Sequence, residues 1–342
     1  MSTFRWANGA NPLSIDPQFI LPEDKRPFLF EVAPMDSIPV IDMAMNEGIL
    51  IEKIVKASEE YGFFQIINHG VSEELCRGML DAIAAFIQLP PEEKALFTGN
   101  ETKDGRVFSY FLKDENAPSK KISLWSEIFS HFWHPYTDNF IRVLPINPLE
   151  YREVSGKFAK EIGVVMDRLL LILSRGLGLK EDFLHTRLGK NPTYRAQANY
   201  YPPCPDPEMT LGLAVHTDIL LLTLVLSSKV QGLQVIKDEK WLSVETLPNA
   251  FVINIGDQLQ VISNGKYKSV HHRTVTNKFQ TRVSIAMFYG PDEDAIVGPA
   301  EELVDDDHPP LYRNYRFAEF MEEFYQQKGL RRRVKEHFEL PQ

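Results

Sequence analysis

The chemistry in this chain is concentrated in a few imidazoles, one carboxylate and one guanidinium. His216 and Asp218 are separated by a single residue. On a β-strand, residues i and i+2 project from one face, so both can aim at one ion. A third ligand must come from elsewhere, and His271 and His272 sit side by side on a later stretch with strand character. Adjacent strand residues face opposite sides, so spacing alone leaves open which of these two joins the pair. Two imidazoles and one carboxylate on one side of a metal leave three coordination positions open, which suits iron(II). Further on, Arg282 and Ser284 repeat the i, i+2 spacing and set a forked cation beside a hydroxyl. That pair suits the far carboxylate of a dicarboxylic ligand, because a guanidinium donates two parallel charge-assisted hydrogen bonds. Alone, His-x-Asp is a weak signal and Arg282 reads as a surface ion pair; together they reinforce each other.

Composition narrows the partners. The 342 residues are 44% apolar and 25% charged, enough for one sizeable domain or two modest ones and too apolar for intrinsic disorder. With 37 basic and 47 acidic residues the net charge is −10, which argues against a nucleic-acid or anionic-lipid footprint and for a small-molecule partner. The Arg331-Arg332-Arg333 cluster, beside Glu336 and Glu339, reads as a solvated tail. Two cysteines, Cys76 and Cys204, cannot build a disulfide framework or a zinc knuckle, so any metal site must use His and carboxylate. No apolar signal segment opens the chain, and the run Ile219 to Leu226 is too short to span a bilayer. The expectation is a cytoplasmic protein with no membrane contact, and a monomer.

The elements that must position these residues can be read coarsely. Residues 1–37 read as an extended arm. In residues 38–150, Ile38 to Asp42 is a short strand, Glu47 to Tyr61 a helix, and Phe63 to Asn68 a strand ended by His69-Gly70. Ser72 caps a helix with Glu73 and Glu74 in its first turn and Leu75, Met79, Ala82, Ile83 and Phe86 as its buried stripe. From Ala95 to Pro148 the chain reads as irregular and aromatic-rich, with His131 and His134 as structural histidines in loops. Residues 151–192 hold a spine helix, with Val154, Phe158, Ile162, Val165, Leu169 and Ile172 stepping by three or four until Gly176 and Gly178. Residues 193–292 are a succession of strands: Thr193 to Tyr201, Ala214 to Leu226, Val230 to Ile236, Trp241 to Thr246, Phe251 to Ile255, Tyr267 to Thr276 and Arg282 to Tyr289. Gly256-Asp257 and Asn264-Gly265 are read as turns. Strands at this near-regular spacing imply a sandwich or jelly roll. Residues 293–342 form a tail with a helix from Phe317 to Gln327. The fold class is α+β: a double-stranded β-helix core with supporting N-terminal helices and a C-terminal helix.

Several ordered motifs carry a family resemblance. Ile38-Pro39-Val40-Ile41-Asp42, Tyr61-Gly62-Phe63-Phe64-Gln65, Asn68-His69-Gly70-Val71 and Leu89-Pro90-Pro91-Glu92-Glu93-Lys94 precede Asn199-Tyr200-Tyr201-Pro202-Pro203-Cys204-Pro205 and His216-Thr217-Asp218. Gly232-Leu233-Gln234-Val235, Asn254-Ile255-Gly256-Asp257, Ser269-Val270-His271-His272-Arg273 and Arg282-Val283-Ser284 follow. Over nearly its whole length the chain resembles the plant-type 2-oxoglutarate- and iron(II)-dependent oxygenases. Tyr289 to Ala295 and Pro309 to Tyr315 look like the subgroup of hyoscyamine 6β-hydroxylase, salicylate hydroxylases and flavone-forming enzymes.

The resemblance implies that His216, Asp218 and His272 bind iron(II), with His271 in the family's variable position. It implies that Arg282 and Ser284 hold the distal carboxylate of 2-oxoglutarate, assisted by Tyr201 and Asn199, with molecular oxygen as cosubstrate and ascorbate in support. The reaction would hydroxylate, desaturate or cyclise a specialised metabolite such as a phenolic, flavonoid or alkaloid, releasing succinate and carbon dioxide. Phe288 shares the parity of Arg282 and Ser284 and is a candidate pocket wall or core aromatic. Leu220, in the bulky run Ile219-Leu220-Leu221-Leu222, points either to a hydrophobic substrate or to tighter packing. Two alternatives stand beside this reading: an iron oxidase that does not use 2-oxoglutarate, and a non-catalytic cupin-like binding protein.

Overall fold

The computed structural model describes residues 12–27, 38–97, 105–113, 121–327 and 334–341. Two facing sheets form the core. The larger has eight strands in the order Val40–Asp42, Phe63–Ile67, Phe251–Ile255, Leu222–Ser227, Arg282–Gly290, Thr193–Tyr201, Glu127–Phe132 and Arg106–Phe108. The smaller has four, in the order Lys240–Ser243, Leu233–Lys237, His272–Thr274 and Leu213–His216. This is the expected double-stranded β-helix, extended at both edges of the large sheet by strands from the N-terminal region.

Alternation along each strand decides what the large sheet shows to each side. Val283, Ile285, Met287 and Tyr289 join the main core together with Phe251, Ile253, Ile255, Leu222, Leu224 and Leu226. That core is completed by the spine helix Leu149–Gly176 through Phe158, Ile162, Val165, Leu169 and Ile172, and by the helices Glu47–Glu60 and Glu73–Ile87. The intervening residues Arg282, Ser284, Ala286 and Phe288 face the other way, toward the small sheet. Ser72 caps its helix as expected, accepting from Leu75 N at 3.2 Å. Gly178 follows the spine helix with a φ of +75°, a conformation that ends a helix at low cost only for glycine. In the described part of the arm, Phe19 packs edge-on against Trp125 and Leu21 N donates to Met209 O, so this stretch lies on the body.

The structure differs from the sequence reading in four places. The stretch read as irregular between Ala95 and Pro148 contains the strand Glu127–Phe132, which pairs with Thr193–Tyr201, and Arg106–Phe108 beyond it. Five of the six residues of Glu127–Phe132 are buried, and a strand covered on both faces shows no alternation to read. The run Ala214 to Leu226 is two strands in different sheets, Leu213–His216 and Leu222–Ser227, joined by a crossing that includes Asp218. Only His272–Thr274 of the Tyr267 to Thr276 run is strand. Asp257 is no surface turn residue: it opens the short helix Asp257–Ile262 and is 1% exposed. The Arg331-Arg332-Arg333 cluster lies outside the described residues.

His131 belongs to the Glu127–Phe132 strand rather than to a loop, and it is structural. Its Nδ1 donates to Phe132 O at 2.7 Å, which leaves Nε2 to accept from the Tyr151 hydroxyl at 3.1 Å. Burial holds its pKa down at about 4, against an ordinary 6.5, so the folded protein refuses a proton that the unfolded chain accepts. Stability is therefore lost as pH falls through 6.5 toward 4, with a slope of up to ~1.4 kcal/mol per pH unit for one such proton. Urea midpoints measured between pH 7 and pH 4.5 should fall steeply for the native protein and more gently for His131→Gln; equal slopes would show that His131 does not set this dependence.

Candidate active site

The three metal-ligand candidates meet at the open side of the small sheet. His216 ends one strand, His272 begins its antiparallel neighbour, and the two are direct partners in the ladder. Their ring centroids lie 4.1 Å apart. Asp218 follows two residues beyond His216, past the end of the strand, so it reaches the site by the crossing between sheets and not by strand alternation. Its Oδ1 lies 3.8 Å from His216 Nε2 and 3.6 Å from His272 Nε2. Such distances are too long for hydrogen bonds, yet the three donor atoms all fall within 4.8 Å of one another.

Neighbouring groups aim these atoms. His216 Nδ1 donates to Ala214 O at 2.8 Å and His272 Nδ1 to Val270 O at 3.3 Å. A carbonyl can only accept, so each ring carries its proton on Nδ1 and turns its Nε2 toward Asp218 Oδ1. Asn254 Nδ2 donates to Asp218 Oδ2 at 2.8 Å, leaving Oδ1 for the imidazole side. Phe63 packs edge-on against the His272 ring at 5.1 Å. The donor set, the fixed tautomers and the burial of all three residues fit an iron(II) ion. His271 does not share this arrangement; its carbonyl accepts from Ile236 N in the neighbouring strand.

Sequence reasoning missed the group that ties these segments together. Asp257 Oδ2 accepts from Thr217 Oγ1 at 3.1 Å, while its Oδ1 accepts from Ser269 Oγ at 2.7 Å and Lys335 Nζ at 3.2 Å. Its backbone N–H donates to Asp218 O at 2.8 Å. One buried carboxylate thus fastens both ligand-bearing segments and the C-terminal tail. The signal was present in Asn254-Ile255-Gly256-Asp257, but a Gly-Asp pair reads as a turn by composition.

The second cluster lies on the large sheet. Arg282 pairs across the ladder with Tyr201, and Ser284 with Asn199, so the four residues expected to hold the cosubstrate form two adjacent cross-strand pairs on one face. Arg282 is 3% exposed; its Nη1 donates to Ser284 Oγ at 3.2 Å and its guanidinium lies 5.2 Å from the Tyr201 ring centroid. Among the described residues no carboxylate pairs with it, and its Nε has no partner. Burial lowers the Arg282 pKa, an effect opposed by Tyr201. Asn199 Nδ2 is used by Gln197 O at 2.9 Å, but its Oδ1 is without a partner. Two glycines permit this packing. A Cβ on Gly232 would lie 2.9 Å from Arg282 Cδ, and one on Gly212 would lie 2.5 Å from the Tyr201 ring.

Phe288 shares the strand parity of Arg282 and Ser284 and packs against the main core, while Leu220 lies in the connection between Leu213–His216 and Leu222–Ser227 and is part of that core. Phe288 stands opposite Arg195, and Leu220 packs where a Cβ on Gly290 would clash at 2.8 Å. Cys204 is fully buried with its thiol pKa raised by burial, consistent with a packing residue. Among the described residues no helix is long and apolar enough to cross a membrane.

Comparison with known proteins agrees with this geometry. Residues 194–291 match the 2OG-Fe(II) oxygenase superfamily, and residues 38–148 match the family described as non-haem dioxygenase in morphine synthesis N-terminal. Flavonol synthase/flavanone 3-hydroxylase of Arabidopsis thaliana is 40% identical over 89% of this chain and 90% of its own. Hyoscyamine 6-dioxygenase of Hyoscyamus niger is 35% identical over 92% of this chain and 93% of its own. The solved structure of JOX2 in complex with 2OG, Fe, and JA superposes with a TM-score of 0.84, covering 97% of this chain and 96% of that one at 33% identity. The chain therefore belongs to the 2OG-Fe(II) oxygenase superfamily and is an iron(II)- and 2-oxoglutarate-dependent dioxygenase.

Proposed function

We propose that His216 Nε2, Asp218 Oδ1 and His272 Nε2 hold the iron(II), that Arg282 and Ser284 hold the distal carboxylate of 2-oxoglutarate with Tyr201 and Asn199 beside them, and that the enzyme oxidises a specialised metabolite. The single observation that carries the cosubstrate assignment is the buried Arg282 guanidinium with no carboxylate partner among the described residues. An uncompensated buried charge costs several kcal/mol, and a dicarboxylic ligand removes that cost while using the open Nε. A protein that bound no such acid would leave both Arg282 Nε and Asn199 Oδ1 idle, which disfavours an oxidase that does without 2-oxoglutarate and a cupin-like binder.

When bound, iron(II) supplies the oxygen-activating redox chemistry that converts 2-oxoglutarate to succinate and carbon dioxide and oxidises the substrate. The chain's own residues bind, orient and shield. His216 and His272 present fixed lone pairs, Asn254 holds the Asp218 carboxylate in its orientation, and Arg282 sets the register of the cosubstrate from its far end. Phe288 and Leu220 are assigned to the substrate wall. A phenolic, flavonoid or alkaloid substrate, hydroxylated, desaturated or cyclised, accords with relatives named for flavonol, flavanone and hyoscyamine chemistry. The free, buried Cys76 and Cys204 accord with work in a reducing compartment such as the cytoplasm.

Two measurements follow. Release of labelled carbon dioxide from 1-labelled 2-oxoglutarate, with iron(II) and ascorbate, should be seen with the native protein and fall at least about tenfold in Arg282→Gln; no release under any condition removes the cosubstrate assignment. In equilibrium dialysis, His272→Ala should lose iron(II) binding while His271→Ala keeps it, and the reverse result would reassign the third ligand.

A further inference from the structure

We propose that the substrate is an acid, with Arg195 and Arg106 forming the anion-binding end of the substrate pocket and holding the carboxylate of a small aromatic or cyclic monocarboxylic acid. This inference rests on the oxygenase reading above and specifies the substrate class of that same site.

The register of the large sheet places the two arginines. Along the ladder between Thr193–Tyr201 and Arg282–Gly290, the inward pairs are Arg282 with Tyr201, Ser284 with Asn199, Ala286 with Gln197 and Phe288 with Arg195. Arg195 thus shares a face with Arg282 but stands six residues along the sheet, about 20 Å at the usual strand rise, too far for one short diacid to reach both. Across the sheet, Asn254 is opposite Thr223, Thr223 opposite Phe288, and Phe288 opposite Arg195. Asn254 is the residue that orients Asp218. Three strand spacings, about 14 Å between backbones, separate it from Arg195, and both side chains reach into the space between. A one- or two-ring molecule held by Arg195 at one end therefore presents its other end to the metal-ligand cluster.

The chemistry of the arginines fits an anion. Arg195 Nε donates to Ser130 Oγ at 2.8 Å, and its guanidinium lies 4.8 Å from the Phe132 ring centroid. Arg106 stands directly opposite Ser130 on the next strand, with its guanidinium 5.5 Å from the Phe108 ring centroid. Both are half-buried, they flank one serine, and among the described residues neither is paired with a carboxylate. Burial, with the nearby Arg106 charge as a smaller contribution, pulls the Arg195 pKa down, so a negative group placed beside Arg195 opposes that effect. Among the described residues no carboxylate stands beside either of these two inward arginines, which leaves their guanidinium groups open to an anionic ligand. Phe288 and Phe132, the residues opposite Arg195 on either side, supply flat apolar surface for a ring beside that charge.

The test is calorimetric titration of the manganese(II)-loaded protein, first with 2-oxoglutarate and then, in its presence, with benzoate, cinnamate and 3-phenylpropanoate, each against its methyl ester. At least one acid should bind at least about tenfold more tightly than its ester, the size expected for one charge-assisted contact. Arg195→Gln and Arg106→Gln should each bring that ratio within about threefold, Arg195→Lys should retain part of it, and 2-oxoglutarate affinity should be unchanged throughout. Esters that bind as well as their acids, a panel in which no acid binds, or a ratio that survives Arg195→Gln would each overturn the proposal. Failure of the oxygenase reading is separate, because it would show as no binding of 2-oxoglutarate in the first titration.

Discussion

A guanidinium taken out of water must be compensated, and this fold compensates Arg282 only in part. Ser284 and the face of Tyr201 surround it, Gly232 and Gly212 let the backbone approach, and no described carboxylate arrives. Burying charge without a partner is among the costliest things a core can do. The eight-stranded sheet, the helices behind it and the close-packed glycines hold that charge in place, and under the proposed assignment a dicarboxylic cosubstrate completes it. The proposal for Arg195 and Arg106 applies the same logic further along the same face, from cosubstrate to substrate.

The candidate metal cluster of His216, Asp218 and His272 depends on a different constraint, the pairing of two short strands. His216 and His272 face each other because they are ladder partners, and their tautomers are set by carbonyls of their own segments. Asp218 arrives by a crossing between sheets and is held by Asn254 from the large sheet. Asp257 then binds the segments of Thr217 and Ser269 to each other and to Lys335 of the tail. The site thus stands at the junction of two sheets, cross-linked to both.

Much of this was legible in the sequence, for identifiable reasons. The strands Thr193–Tyr201 and Arg282–Gly290 were read to within a residue, because β-branched and aromatic runs between turn residues leave few alternatives. The spine helix was equally plain from its three-and-four stepping. Glu127–Phe132 was not, since a strand buried on both faces loses its alternation, and neither was the break after His216, where an unbroken apolar run hides a change of sheet. The choice of His272 over His271 came from family resemblance; in the ladder it is His272 that stands opposite His216. Asp257 was misread because a Gly-Asp pair carries the composition of a turn whether it faces solvent or a buried network. Arg195 and Arg106 carried no local signal at all: nothing short of the strand register reveals that residues so far apart in sequence flank one serine.

The central claim is that Arg282 is kept unpaired for the far carboxylate of the cosubstrate. The most direct measurement compares 2-oxoglutarate with pyruvate, which keeps the keto-acid end and lacks the distal carboxylate, in calorimetric titrations of the manganese(II)-loaded protein. The account predicts that 2-oxoglutarate binds at least about thirtyfold more tightly than pyruvate, and that Arg282→Gln removes most of the difference. Equal affinities for the two acids in the native protein would contradict it.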